Sequence, residues 1–525
     1  MRVELWYYLA VGAILAATLF CLTAATMPAV MQQGNYSSRS FLRWYYRRKG
    51  YMPGRHALLS LCAFLLCVLF NLCFSFFGYE IANLISLIPF AGACILFFCS
   101  GTRALKVPMK RTSRAIRIFV IWWFLLALVV YGAGVGLSYA AESLGGAFYL
   151  FRYTPITFVP LLFPVLYAAA NELSKIYDVP HNARFVKYAA RALAQSSCKK
   201  AGITGSFAKT SVKTMAAAIL SQKYRVVATP SSFNTPLGIA RTVKEQGLDC
   251  DIFLAEMGAR RVGDIRKLCD MVQPEYGVIT GITSQHFETF GSLENIRKEK
   301  SVLAERTQTV ILGETAKDCK RDALVEGRDF AAEEIELSEN GTKFTLRIGE
   351  ERIAVETALL GRHAAEDVAI ASALCRSLGM NMQEIAAGIT AIKPVPHRLE
   401  KSEANGVTIL DDSYNCNEEG AKCAVEVLKL FSGRKFIVTP GIVELGALEY
   451  NKNRALGESL VGLDFVILVG ETQILSVSKG YYAAGGNEEK LVTVPTLKAA
   501  QQILSRELKE GDCVLFLNDL PDIYG

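Results

Sequence analysis

The distribution of apolar residues constrains this chain more than any other feature. Between residues 1 and 170 the sequence is dominated by Leu, Phe, Ala, Val and Tyr, and from Asn171 onward charged residues return at ordinary globular density. A helix needs about 20 mainly apolar residues to cross a bilayer. Five stretches meet that length: residues 5–27, 58–77, 81–100, 119–140 and 147–170. Pro155, Pro160 and Pro164 predict a kink in the last. A cleaved leader is a poor reading of the first, because Arg2 is its only basic flank, Glu4 follows, and four more runs come after it.

Two basic loops give this half an orientation. "RSFLRWYYRRKGYMPGR" follows the first run and "RALKVPMKRTSRAIR" the third, whereas "FGYE" and "AESLGG" carry no basic residue. Basic loops stay on the cytoplasmic side. The expectation is a multi-pass protein of the cell membrane, N-terminus outside, with everything after Asn171 in the cytoplasm. The net charge of +7 is therefore no sign of a nucleic-acid partner, since much of the excess sits in these loops without an accompanying basic tail, zinc finger or stacking motif. No charge lies near the centre of a run, which argues against transport. Six of the 14 cysteines (Cys21, Cys62, Cys67, Cys73, Cys94, Cys99) fall inside apolar runs. The other eight form no C-x-x-C pair, so reduced thiols are expected and no metal cluster.

The second half alternates buried-type strands with helical patterns: "KKAGITG", "YRVVATP", "CDIFLAEMG" and "YGVITGIT", then "GVTILDDS", "RKFIVTPG", "DFVILVG" and "DCVLFLND". That is the signature of parallel α/β sheets. "FTLRIGEERIAVET" reads as an antiparallel hairpin turning at Gly349-Glu350, and "KPVPHR" as a hinge. The expected organisation is a transmembrane domain over 1–170, a juxtamembrane linker over 171–199, an α/β nucleotide domain over 200–394, and a smaller α/β domain over 395–525.

"GITGSFAKTSVKT" (residues 202–214) has the parts of a phosphate cradle: a strand end, a small-residue turn at Gly205, and Lys209-Thr210 opening a helix. Ala208 stands where such loops carry Gly. At negative φ the methyl group is harmless, and at positive φ it introduces strain.

Four further stretches, in order along the chain, make the sequence resemble the Mur ligase family, most of all its D-alanyl-D-alanine-adding branch. They are "SSFNTPLGIA", "LAEMGARRVGDIRKL", "VITGITSQHFETFGSLENIRKEK" and "LDDSYNCNEEGAKCAVEVL". The resemblance runs from about Lys200 to the C-terminus. It implies a P-loop central domain, a Rossmann-like C-terminal domain, ATP and Mg²⁺, and the joining of a carboxylate to an amine through an acyl phosphate. Carried over by position, Gly205, Ser206, Lys209, Thr210 and Ser211 would hold phosphates. Thr210, Glu256, His286 and Lys300 would serve the metal, Lys300 being where several members carry a carbamylated lysine. Arg398 would reach the γ-phosphate. Asp412 would lie near the ribose, with Asn415 and Asn417 near the domain junction. An Asx-rich turn capping a helix explains the last segment equally well.

Departures are as informative. Ala364 and Asp367 replace two asparagines of the family's adenine segment, Val302 replaces a glutamate, and apolar runs stand where the family has its UDP-binding domain. Three functions remain open: a membrane-anchored amide ligase acting on a lipid-linked or cell-wall carboxylate with an amino-acid or dipeptide amine, a capsule-type polyamide synthase of the poly-γ-glutamate kind, and a nucleotide-binding scaffold without catalysis.

Overall fold

The computed structural model describes residues 3–518, apart from 24–25, 48–50, 86–87, 90–91, 93–94, 97–108, 146–153, 284–286, 415–416, 444 and 471. The chain divides into two compact units that meet in sequence at His181 and Asn182.

The first unit is helical. Three helical segments among the described residues are long and apolar enough to cross a membrane: Ala57–Phe77, Ser113–Leu144 and Thr154–Gln195. A shorter apolar helix covers Trp6–Cys21. Five were expected. In the first run, helices cover Val3–Thr23 and Thr26–Gln33, and residues 24–25 lie outside the described residues. Much of the run at 81–100, and the start of the run at 147–170, lie outside the described residues. The latter begins as the 3-10 segment Thr154–Leu162, with Pro160 inside it, before an α-helix takes over at Phe163. A proline lacks the N–H that an α-helix needs and clashes with the preceding turn.

The helix Ser113–Leu144 is apolar on both its buried and its exposed sides. Ile118, Trp122, Leu126 and Val130 form a buried stripe at four-residue spacing. Its opposite side exposes Ile116, Val120, Phe124 and Leu128, each more than half accessible. A helix apolar all round has no face for water. Around Trp122, the rings of Phe163 and Tyr167 pack edge-on at 5.7 and 5.2 Å. At the helix start, Arg114 and Arg117 both pair with the buried carboxylate of Asp178. The segment expected as a linker is helical through Gln195, and its Ala189 and Leu193 join the core of the second unit.

The second unit holds three sheets. In the first, β1 (Lys199–Thr204), β2 (Val226–Ala228), β3 (Ile252–Glu256), β4 (Tyr276–Ile279), β5 (Thr309–Leu312) and β6 (Leu324–Val325) lie in the order β2-β3-β1-β4-β5-β6, all parallel. β3 and β4 flank β1; the connection leaving β1 runs to β2 on one side and that leaving β4 runs to β5 on the other, so the chain reverses direction beside the carboxyl end of β1, the place where α/β sheets bind ligands. A meander of β7 (Phe330–Ser338), β8 (Gly341–Ile348) and β9 (Glu351–Thr357) follows. The expected hairpin is β8–β9, and β7 extends it. The second large sheet contains β10 (Glu400–Ala404), β11 (Val407–Asp412), β12 (Lys435–Thr439), β13 (Phe465–Val469), β14 (Leu491–Val494) and β15 (Cys513–Leu517), ordered β10-β11-β15-β12-β13-β14. Only β10 runs antiparallel. The central strands β1, β3, β12 and β13 are buried almost throughout, on both faces of their sheets, which is why they read as continuous apolar runs.

Candidate active site

The turn after β1 is built by exclusion of side chains. A Cβ on Gly205 would stand 1.9 Å from Oγ1 of Thr280, and one on Gly281 would stand 2.3 Å from the Phe207 ring. Ser206 is tied to the exit of β4 through its N–H to the carbonyl of Gly281 at 2.8 Å, and its hydroxyl accepts from the N–H of Thr283 at 3.1 Å. Thr280 Oγ1 donates to the carbonyl of Phe207. The helix Lys209–Leu220 then begins, with Ala208 as its N-cap at φ 59°, in the left-handed region. The sequence left the sign of that angle open; it is positive, so the alanine is strained where a glycine would not be. The helix N-terminus and the preceding N–H groups face the turn, which makes it an anion site in form.

Two lysines converge on one carbonyl of this turn. Lys209 Nζ donates to Gly205 O at 2.9 Å and to Ser206 O at 3.3 Å. Lys300 Nζ donates to the same Gly205 O at 2.7 Å. Burial lowers the Lys209 pKa to about 8; Glu256 opposes the shift and the Arg398 charge adds to it. Lys300 is buried, and burial first and the Lys209 charge second hold it well below the usual lysine range. It is the amine of this site that most readily stays neutral.

Glu256 ends β3 and is fully buried. One carboxylate oxygen accepts from Thr210 Oγ1 at 2.9 Å and from Lys213 Nζ at 3.0 Å. The other accepts from Asn234 Nδ2 at 3.1 Å. Lys213 was missed in the sequence, although it sits three residues after Thr210 and so on the same side of the helix. Burial lowers its pKa and Glu256 opposes that, and it also donates to the carbonyl of Ser231. Ser211 lies in the first turn of the same helix, half-buried. A hydroxyl and a carboxylate at hydrogen-bond distance are hard oxygen donors of the kind Mg²⁺ takes. The buried hydroxyl of Thr283, at the edge of the turn, has no hydrogen-bond partner among the described residues. These features fit a nucleotide triphosphate with its metal. His286 lies outside the described residues.

The remaining candidates come from the hinge and the second large sheet. The Arg398 guanidinium lies 4.8 Å from the centre of the Tyr414 ring, and Tyr414 OH is 2.9 Å from Ser232 Oγ, which joins the loop after β2 to the segment after β11. His397 pairs its Nδ1 with Asp411 at 2.7 Å and adopts φ 62°. Asp412 accepts from the N–H of Leu399 at 3.2 Å. Asn417 caps the helix Glu418–Leu428 by accepting from the N–H of Gly420 at 2.8 Å. Asn415 lies outside the described residues. The structure thus brings Gly205, Ser206, Lys209, Thr210, Glu256 and Lys300 into one cluster, with Arg398 close enough to act on Lys209. It gives Asp412 and Asn417 structural bonds at the hinge.

Ala364 and Asp367 are both buried in the helix Arg362–Ser377. Burial, then Glu326 and Glu366, push the Asp367 carboxyl well above the usual range, with Arg398 opposing. Burial also pushes Glu326 up to about 7. A protonated Asp offers one donor and one acceptor, as the amide of Asn does. Next to them, burial lowers His363 to about 4, and its Nδ1 has no partner.

Residues 203–375 match the Mur ligase middle domain, and residues 397–518 match the Mur ligase, glutamate ligase domain. Over 342 residues the chain is 30% identical to the UDP-N-acetylmuramoyl-tripeptide--D-alanyl-D-alanine ligase of Escherichia coli, covering 61% of this chain and 76% of that protein. Over 351 residues it is 30% identical to the enzyme of the same name from Mycobacterium tuberculosis, covering 60% and 69%. Among solved structures, MurF ligase from Thermotoga maritima in complex with ADP superimposes with a TM-score of 0.58 at 25% identity, covering 64% of this chain and 80% of that one. MurF from Acinetobacter baumannii gives a TM-score of 0.58 at 24% identity, covering 64% and 77%.

Proposed function

This chain belongs to the Mur ligase family, and from that premise we propose that it is a membrane-anchored ligase that extends a lipid-linked peptide carboxylate of the cell wall. It is an ATP-dependent ligase of the MurF type, in the synthesis of peptidoglycan precursors. The finer reading concerns its substrate. Its acyl donor is presented at the membrane surface, its amine is a D-alanyl-D-alanine-like dipeptide, and its catalytic unit is cytoplasmic. The observation that carries this is the pairing of two features in one chain: the Lys209–Thr210–Glu256–Lys300 cluster, and three apolar helices whose outward faces have no use for water. Holding a catalyst and its substrate on one surface raises their effective concentration.

The family reaction converts carboxylate, ATP and amine into amide, ADP and phosphate by way of an acyl phosphate. In this chain Lys209 and the N–H groups of the turn would hold the phosphates and neutralise charge as the carboxylate oxygen attacks phosphorus. Thr210 and Glu256 would hold Mg²⁺, with Lys213 fixing the carboxylate from the far side. His286 is proposed as a further metal ligand. Lys300, held neutral by burial, is suited to add CO2, losing a proton and gaining the carboxylate of a carbamate. That group would face the same metal. Arg398, stacked on Tyr414, would place its charge on the transferred phosphoryl group.

The test is ADP and phosphate release by the full chain in detergent, with D-alanyl-D-alanine as amine. UDP-N-acetylmuramoyl-tripeptide and its undecaprenyl-linked counterpart serve as alternative acyl donors. Higher kcat/KM on the lipid-linked donor supports the proposal; preference for the nucleotide-linked donor would return the chain to the soluble enzymes' substrate, with the helices as an anchor alone.

A further inference from the structure

Gln32 and Lys110 lie 78 residues apart in the chain, yet they are joined by paired hydrogen bonds. The N–H of Lys110 donates to Gln32 Oε1 at 2.8 Å, and Gln32 Nε2 donates to the carbonyl of Lys110 at 3.0 Å. Beside them the hydroxyls of Tyr36 and Thr112 are 3.1 Å apart, and the Arg114 guanidinium stands 4.1 Å from the centre of the Tyr36 ring. Asn171 also holds this turn, its Nδ2 donating to Tyr36 O at 3.0 Å and to Ser38 Oγ at 2.8 Å. The turn between the helices Thr26–Gln33 and Ser38–Arg47 is thereby tied to the residues that open the helix Ser113–Leu144. Basic composition puts a loop on one side of a membrane. These bonds go further and fix the backbone of Lys110 against the helices beside it.

The joint leaves cations without counter-ions. Arg114 and Arg117 share a single carboxylate, that of the buried Asp178. Glu172 is taken by Lys175 and by the hydroxyl of Ser38, both at 2.6 Å. Lys110 and Arg111 are exposed, and neither has a carboxylate partner among the described residues. Adjacent cations on a fixed backbone repel, and an anion shared between them removes that cost. Arg meets a phosphate through paired N–H bonds, and Lys meets it as a point charge.

An apolar surface begins at the same point. Ser113 follows Arg111 by two residues, and Ile116, Val120, Phe124 and Leu128 continue from it along one face of the helix at three- and four-residue spacing. All four are more than half exposed. A phosphate free in water would use the cations and have no use for the stripe. A lipid with an acidic headgroup uses both, since basic residues at the membrane surface attract its charge while its chain covers apolar surface.

We infer that Lys110 and Arg111 bind the headgroup phosphate of an acidic phospholipid, whose acyl chain lies along Ile116, Val120 and Phe124. The inference rests on the reading that these helices lie in lipid, and it is independent of the acyl donor. It assigns the helical unit a choice among lipids, beyond its role as an anchor.

The test follows the melting temperature of the full chain in nonionic detergent micelles doped with phosphatidylglycerol or phosphatidylcholine. Phosphatidylglycerol should half-saturate the stabilisation at a mole fraction about tenfold lower than phosphatidylcholine, and added salt should narrow that gap. In Lys110→Gln/Arg111→Gln the gap should close to within about threefold. Lys110→Arg/Arg111→Lys keeps both charges and should keep the gap. Arg260→Gln/Arg261→Gln removes two exposed charges from the second unit and should keep it as well. A wild type that does not distinguish the lipids, a Lys110→Gln/Arg111→Gln variant that still does, or an equal loss in the Arg260→Gln/Arg261→Gln variant overturns the inference. So does equal stabilisation by glycerol phosphate, which would reduce the surface to a site for free phosphate. A chain that stays in solution without detergent fails the membrane reading first, and this inference with it.

Discussion

The second unit presents two carboxyl edges of parallel sheets, and they handle charge in opposite ways. At the first, Lys213 and Glu256 are 3% and 1% exposed and share a hydrogen bond, with Thr210 and Asn234 also donating to the carboxylate and Ser231 O also accepting from the amine. At the second, the His397–Asp411 pair is 58% and 28% exposed, and the neighbouring backbone takes left-handed angles at His397 and Leu399. The first edge is a closed electrostatic circuit in which each charge is held by two or three partners. The second is an open surface of turns, caps and a stacked ring. Groups meant to act on a reacting phosphate need fixed positions and low dielectric. Groups meant to let two domains meet need solvent and loop freedom. The difference predicts that substitutions at the first edge act through loss of charge balance, and those at the second through small changes in closure.

The largest effect should come from Lys213→Met. It removes one partner of a buried ion pair and leaves the Glu256 carboxylate uncompensated, a loss of about 3–5 kcal/mol. Chemical denaturation should show it as a lowered midpoint with the slope unchanged. If stability barely moves, the circuit is not closed and the contrast between the two edges fails. Lys209→Ala separates chemistry from folding. Its amine bonds only to loop carbonyls, so the fold should survive while kcat/KM falls by about 10³ or more.

The same lysine gives a pH signature. With a pKa of about 8, it is charged below that value and neutral above it. Bound phosphates favour the charged form. KM for ATP should therefore be flat below pH 8 and rise by up to tenfold per unit above it. The stability contribution has the opposite trend: the unfolded lysine binds its proton up to about pH 10.5, so this group adds stability as pH rises between 8 and 10.5. A flat KM up to pH 9.5 would place the Lys209 charge away from the nucleotide.

The first edge was legible from sequence because its residues lie at fixed offsets after strands: Lys209 and Thr210 five and six residues after Thr204, and Glu256 at the end of an apolar run. The turn chemistry restricts what can stand there, so spacing carries the site. Lys213 escaped because a lysine inside an otherwise apolar helix pattern looks like a solvated face until β3 is placed against it. At the second edge the spacing says less. Asn417 is a helix cap, the alternative its Asx-rich segment already offered, whereas His397 is a partner of Asp411 through a contact that no local pattern specifies. Five apolar runs were equally plain; three long helices are seen among the described residues, and much of the run at 81–100 lies outside them. In the run at 147–170, Pro160 falls in the 3-10 segment that precedes the α-helix.

Tyr414→Phe probes the open edge. It deletes the hydroxyl that meets Ser232 and keeps the ring under Arg398. One partly exposed hydrogen bond is worth about 0.5–1.5 kcal/mol, so kcat should fall a few-fold with little change in melting temperature. Tyr414→Ala removes the ring as well and should lower kcat further, by the additional cation–π contribution of about 0.5–1 kcal/mol. Equal effects of the two variants would mean that the ring does not support Arg398.

Ala208→Gly should have the smallest effect, and it tests whether the closed edge is strained. Ala208 holds φ 59° at the point where the phosphate turn becomes a helix. An alanine in that region costs about 1–2 kcal/mol relative to its preferred conformations. Glycine removes this strain but loses about 0.5–1 kcal/mol through greater freedom of the unfolded chain. The net expectation is a gain of up to about 1 kcal/mol in stability. On the proposed reading the nucleotide would meet N–H groups and Lys209, and both are the same in the two proteins, so the affinity for ATP should change by about threefold or less. A much larger rise in affinity, from no measurable binding to ordinary binding, would show that the methyl group blocks the phosphates. The chain would then be a scaffold in its native form, despite the integrity of the Glu256 circuit. A small gain in stability with nearly constant affinity means that the strain is borne by the fold alone.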